Sequence, residues 1–97
     1  MDSYAGDFSS ALNALKSKNY EKAVKILRVD AERGDKHSQH FLGVLLYKGK
    51  GIKKNHKESF KWLDLAAKQG LSQARFDLGI LIYHRAGIPE KYIDKYK

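Results

Sequence analysis

The chain has no cysteine, and its one proline, Pro89, stands near the end of 97 residues. Without cysteine there is no thiol nucleophile, no disulfide staple and no cysteine-ligated zinc. That composition suits a reducing compartment. Scarce proline leaves helices free to run, because proline removes a donor and clashes inside a helix. Long apolar runs are missing too. The longest is interrupted by Gly43 and Lys48, short of the ~18 residues that a membrane span needs. The opening "MDSYAGDFSS" is polar and acidic, with no apolar stretch of the kind that marks a secretory leader. A cytoplasmic protein without membrane contact is the expectation. Negative charge is also sparse: 11 Asp and Glu face 19 Lys and Arg, a net +8. Such an excess points to an acidic partner, whether nucleic acid, an anionic membrane face or another protein.

What is present is a 42% hydrophobic chain with 4 Phe, 6 Tyr and 1 Trp. That is too apolar for a disordered tail and fits one domain over residues 1–97. The most informative pattern is a repeat. Shifted by 36 positions, Gly34 falls on Gly70, Ala31 on Ala67, Leu42-Gly43 on Leu78-Gly79, Tyr47 on Tyr83 and Gly51-Ile52 on Gly87-Ile88. In the other direction Asn55 falls on Asn19, Lys61 on Lys25 and Leu63 on Leu27. One shift aligns three units, 5–34, 35–70 and 71–97, which is the mark of a stacked repeat architecture.

Each unit reads as a helix pair. Phe41, Leu42, Leu45 and Leu46 form a helical stripe. Gly49 and Gly51 end that helix, since glycine accepts the positive φ of a C-terminus. Asn55 suits the N-cap of the next helix, and Glu58 three residues on approximates a capping box. Phe60, Trp62, Leu63, Ala66 and Ala67 continue at helical spacing until Gly70. The spacing predicts helices over 5–17, 20–33, 36–48, 55–69 and 72–84, and a short one from Pro89, which is well placed at a first helical position. The last unit is shortened to "PEKYIDKYK". Tyr92, Ile93 and Tyr96 are its candidates to cap the stack; left uncapped, that end favours a weak dimer over a monomer.

The residues Ala31, Gly34, Leu42, Gly43, Gly49, Gly51, Ile52, Ser59, Trp62, Ala66, Ala67 and Gly70 follow a pattern that resembles the Sel1-like repeat, a relative of the tetratricopeptide repeat. The next unit keeps Ala74, Phe76, Leu78, Gly79, Gly87, Ile88 and Pro89 but has Arg85 at the first loop glycine. The first unit, with Ala11, Tyr20, Ala23 and Leu27, is closer to a plain tetratricopeptide unit. The resemblance implies an all-α, right-handed α-solenoid of about two and a half antiparallel helix pairs. It also implies an adaptor or scaffold without catalytic activity. A cysteine-rich branch linked to β-lactam binding is out of reach without cysteine. Gly43 and Gly79 stand mid-helix, where glycine costs ~1 kcal/mol against alanine. A close approach of the paired helix, with Ala66 and Ala67 as small partners, would justify it.

No catalytic constellation emerges. Gly49-Lys50-Gly51 follows a helix, whereas a phosphate loop joins a strand to a helix and carries Lys-Ser/Thr after its glycines. His37 and His40 stand at i, i+3, with His84 one repeat on, but no carboxylate accompanies them at a metal-binding spacing. Scattered surface histidines are expected, and no metal or cofactor. No serine or aspartate sits in a nucleophile pattern.

Two features suit binding. Lys48, Lys50, Lys53, Lys54, Lys57 and Lys61 crowd fourteen residues with Glu58 as the one acidic residue among them. They read either as a solvated face or as an electrostatic patch. Arginine, the better reader of phosphates and bases, is missing there, and no aromatics alternate with the lysines. Nucleic acid is therefore the weaker partner. The architecture implied by the resemblance lines its concave face with the first helix of each pair. His37, His40 and Gln73 fall on that face, together with the partner-binding candidates Phe41, Val44, Tyr47, Lys48, Asp77, Ile80, Tyr83 and His84. Its apolar members form a strip that exposed would mark an interaction site; Tyr47 and Tyr83 as inter-repeat core is the competing reading. The expectation is a non-catalytic module that binds a protein with an acidic surface through the concave groove, with Lys50, Lys53, Lys54, Lys57 and Lys61 assisting. An immunity protein that covers a toxin and nucleic-acid binding by the lysine face are the alternatives.

Overall fold

The structure, a computed structural model, describes residues 8–84. They form five helices: α1 (Phe8–Lys16), α2 (Tyr20–Glu32), α3 (Lys36–Lys48), α4 (His56–Lys68) and α5 (Ser72–His84). The expected spans agree within a residue or two wherever they fall on described residues. The stub from Pro89, with Tyr92, Ile93, Tyr96 and the capping or dimer contact assigned to it, lies outside them.

Local chemistry sets the boundaries. The side chains of Asn19, Asp35 and Asn55 accept hydrogen bonds from the N–H groups of Lys22, Ser38 and Glu58 at 3.3, 2.8 and 2.9 Å. Each satisfies a donor that the first helical turn leaves unpaired. The capping box at Asn55 is only half made. Glu58 does not reach back, because its Oε2 accepts instead from Arg28 Nη1 at 3.0 Å and Trp62 Nε1 at 3.1 Å. The Asn55 N–H is already spent on the Leu46 carbonyl, 2.9 Å away. At the corner after α3, Gly49 takes φ +74° and Gly51 also takes φ +74°. A Cβ on Gly51 would collide with the Tyr20 backbone. The loop therefore presses on the start of α2 and leaves no cradle there for an anion.

Each helix packs chiefly on its sequence neighbours, and α3 also touches α5. The core is accordingly divided. Leu27, Leu42, Leu46 and Trp62 belong to one cluster built from α1 to α4; Phe60, Leu63, Ala67, Leu78 and Leu81 belong to a second built from α4 and α5. Adjacent residues Trp62 and Leu63 thus feed different cores, as expected where each unit buries its apolar face on the next.

The predicted close approach holds at Gly43. Ser59 Oγ donates to the Gly43 carbonyl at 2.6 Å, and a Cβ on Gly43 would stand 2.7 Å from Leu63 Cγ. Its partners are therefore Ser59 and Leu63 rather than Ala66 and Ala67, which lie in the second core. Gly79 does not repeat the contact: a Cβ there would meet nothing within 4 Å. The physical reason is position, since Gly43 faces its paired helix α4, whereas α5 has no second helix of its own among the described residues.

Candidate binding face

The first helices of successive units, α3 and α5, run side by side and leave a groove between them. A single polar bridge divides it. His40 Nε2 faces Asp77 Oδ2 at 2.7 Å, with the two residues 37 apart in the chain. His40 is buried and the edge of its ring meets Phe41, centroids 5.4 Å apart. This corrects the expectation of scattered surface histidines: His37 and His84 are exposed, but His40 is an inter-repeat contact. The signal for it was the spacing, one repeat plus one residue, at which neighbouring first helices touch.

On the N-terminal side of the bridge lies a wide recess of mixed character lined by His40, Ser72, Gln73, Phe76 and Asp77. Phe76 stands 70% exposed at its edge; the repeat pattern includes this position together with the core residues Ala74 and Leu78 and does not mark its exposure. On the C-terminal side lies a smaller apolar recess of about 210 Å³ that gathers Val44, Tyr47, Lys48, Asp77 and Ile80 over the core residues Leu63 and Leu81. Five of the eight partner-binding candidates meet there.

The other three stand apart. Phe41 is partly buried against the first core, beneath the ring of Phe8 at 5.5 Å. It serves as packing more than as a contact surface. Tyr83 is 83% exposed and meets the neighbouring His84 ring edge-on, with centroids 5.3 Å apart. Tyr47 and Tyr83 thus part company. Tyr47 packs on the second core and stacks on His56, with ring centroids 4.8 Å apart, while Tyr83 projects outward. Equivalent residues differ because the α3 face is covered by later helices, whereas α5 ends the described stack.

The lysine cluster does not gather at one recess. All six side chains are exposed. Lys48 lines the apolar recess of the groove, whereas Lys57 and Lys61 border a separate depression on α4 with Phe60, Asp64 and Leu65. Lys50 Nζ lies over the Tyr20 ring, 5.2 Å from its centroid, and Lys61 Nζ over Trp62 at 5.3 Å. Both arrangements use the negative face of an aromatic ring. Beside them Glu58 is held by Arg28 and Trp62. Its partial burial pushes the carboxyl pKa upward. The hydrogen bonds from Trp62 and Arg28, with the charges of Arg28 and Lys61, outweigh that and hold it below the ordinary glutamate value.

Among the described residues no group of three or more His, Asp or Glu converges to hold a metal ion. Nor is any described helix long and apolar enough to cross a membrane.

Comparison with known proteins gives a consistent answer. The family model described as the Sel1 repeat matches residues 13–35 and 36–71. No curated protein matches. Among solved structures, the chain is similar to c5321, a protective antigen present in uropathogenic Escherichia coli strains and displaying an SLR fold. The two are 34% identical with a TM-score of 0.77, over 81% of this chain and 18% of that one. It is also similar to a Sel1 repeat protein from Oxalobacter formigenes, at 36% identity and a TM-score of 0.63, over 66% of this chain and 26% of that one. The chain therefore spans about a fifth to a quarter of these relatives' lengths.

Proposed function

Because the chain belongs to the Sel1 repeat family, whose tetratricopeptide-like repeats typically form non-catalytic protein-interaction scaffolds, we propose that it binds a partner protein along the groove between α3 and α5. The observation that carries this reading is the exposure of large apolar side chains on α5, the helix that forms one wall of that groove. Phe76 is 70% and Tyr83 is 83% exposed, and Ile80 on the same helix is 36% exposed. Spaced at i, i+4 and i+7, the three share one face of α5, and a contiguous exposed aromatic face on a soluble domain marks an interaction surface. Water-accessible aromatics of this size supply the contact energy that hot spots depend on. The partner carries an acidic surface, because the net charge of +8 raises the encounter rate and selects orientation.

The nucleic-acid alternative gains less support. Its lysines are distributed between the groove and the α4 side, and two of them lie over aromatic rings. The test is capture from native lysate by wild type and by a Phe76→Ala/Tyr83→Ala variant, each at low and high salt. Both side chains are solvent-facing, so the variant keeps its helicity. A stoichiometric protein held by wild type and lost by the variant supports the reading. Its nature separates adaptor from inhibitor: one tight partner that is inactivated on binding identifies an immunity protein. Equal capture by both chains, or salt-labile nucleic acid alone, refutes the groove.

A further inference from the structure

We infer that the apolar recess between the C-terminal halves of α3 and α5 is an anchor site for one large apolar side chain of an acidic protein segment, with Lys48 pairing a carboxylate of that segment. The inference rests on the concave-groove reading and specifies what the groove recognises.

Size comes first. The recess holds about 210 Å³, below the ~300–1,000 Å³ typical of sites for drug-sized ligands and cofactors. A nucleotide or a long acyl chain does not fit; a leucine or phenylalanine side chain does. The lining agrees. The floor is Leu63 and Leu81, both about 1% exposed and part of the second core, and the walls are Val44, Ile80 and the half-buried Tyr47. A side chain seated there is enclosed by apolar atoms that the fold already holds in place, which is the setting in which a single anchor residue dominates an interface.

Charge then selects the flanking chemistry. Two charged residues line the recess, Lys48 and Asp77. The Asp77 carboxylate is engaged by His40 at 2.7 Å. Lys48 is exposed and makes no ion pair among the described residues. It is therefore the cation that this recess offers to a ligand, whereas Asp77 is tied to the bridge through one oxygen. A carboxylate near the anchor residue complements it, and a lysine there does not. His84, the last described residue of α5, lies exposed toward the same end and adds no negative charge. The chain's overall excess of positive charge acts in the same direction.

The proposal is tested on the full chain by methyl and amide NMR titration with three pentapeptide probes: Ac-Glu-Glu-Leu-Glu-Glu-amide, the same peptide with alanine for leucine, and the same with lysine for every glutamate. The leucine–glutamate peptide is expected to shift the signals of Val44, Ile80 and Leu81. Alanine for leucine weakens binding roughly 10- to 100-fold, the worth of one buried leucine side chain. The lysine-flanked peptide binds more weakly than the glutamate-flanked one to wild type, and Lys48→Glu, an exposed substitution, narrows that difference. Absence of shifts at those residues at millimolar peptide, equal binding of the leucine and alanine peptides, or a difference unchanged in Lys48→Glu overturns the anchor. Failure of the two readings is distinguishable. Partner capture that depends on Phe76 and Tyr83, alongside peptides that ignore the recess, keeps the groove and removes the anchor. Capture that is indifferent to Phe76 and Tyr83 removes the groove reading itself.

Discussion

Alanine at Gly43 and at Gly79 should move stability in opposite directions, although both glycines occupy the same position of a Leu-Gly repeat motif. At each, the helix gains ~1 kcal/mol from replacing glycine in its interior. At Gly79 nothing opposes that gain, since a Cβ would meet no atom within 4 Å. Gly79→Ala should therefore stabilise by ~1 kcal/mol, which for a domain of this size raises Tm by about 4–8 °C. At Gly43 the new methyl would stand 2.7 Å from Leu63 Cγ, 2.9 Å from Leu63 Cδ2 and 3.3 Å from the Ser59 carbonyl. Leu63 is 1% exposed and packed in the second core, so its side chain can give way only by shifting against its neighbours or into the recess that it floors. Overpacking of this kind costs ~1–3 kcal/mol. If α4 moves away, it also strains the 2.6 Å hydrogen bond from Ser59 to Gly43, worth ~1 kcal/mol. After the helical gain is subtracted, Gly43→Ala should destabilise by ~1–3 kcal/mol. Urea unfolding followed by far-ultraviolet circular dichroism reads both values. Equal shifts of one sign would refute the argument, because they would mean that helix propensity and not the α3–α4 approach governs both sites.

The glycine turns and the half-buried Glu58 carboxylate give two more tests. Alanine at Gly34, where φ is +99° and the surroundings are open, should cost ~1–2 kcal/mol from backbone strain alone. Gly51→Ala should cost at least ~1 kcal/mol more, because its Cβ also meets the Tyr20 backbone; similar losses in thermal unfolding would contradict that packing. Glu58 has a folded pKa below its unfolded value, so its contribution is complete above the ordinary glutamate range, ~4.3, and disappears as pH falls through the depressed value. The stability gap between wild type and Glu58→Gln should therefore narrow between about pH 6 and about pH 3; a gap that stays constant in urea titrations across that range would show that the Arg28 and Trp62 contacts carry no linkage.

Much of the architecture was readable from spacing. Asn55 announced a helix start, and Gly49 and Gly70 announced ends, because a cap acts on donors and acceptors within one turn. The shift of 36 residues gave the stacking order, and with it the neighbours of each helix. The reading faltered where a contact depends on two distant residues at once. Glu58 looked like the second half of a capping box, yet Arg28, 30 residues away, and Trp62 claim its carboxylate. Gly43 and Gly79 looked equivalent, yet one is pressed against Leu63 and the other meets nothing.

The candidate face divides in the same way. Which residues lie on α3 and α5, and on which side of each helix, follows from the 3.6-residue turn and needs no tertiary information. The resemblance to the Sel1-like repeat then set Phe41, Val44, Tyr47, Lys48, Asp77, Ile80, Tyr83 and His84 on one concave face. How α3 and α5 lie against each other is a nonlocal matter of packing and register. That packing brings His40 to Asp77 and closes the groove into two recesses. It sets Phe41 beneath Phe8, leaves Phe76 and Tyr83 in solvent, and puts Lys48 at a different recess from Lys57 and Lys61. Periodicity along one helix assigns a face, because every turn repeats the same geometry. Only the meeting of several helices decides what that face touches, because side chains from separate units must share one volume.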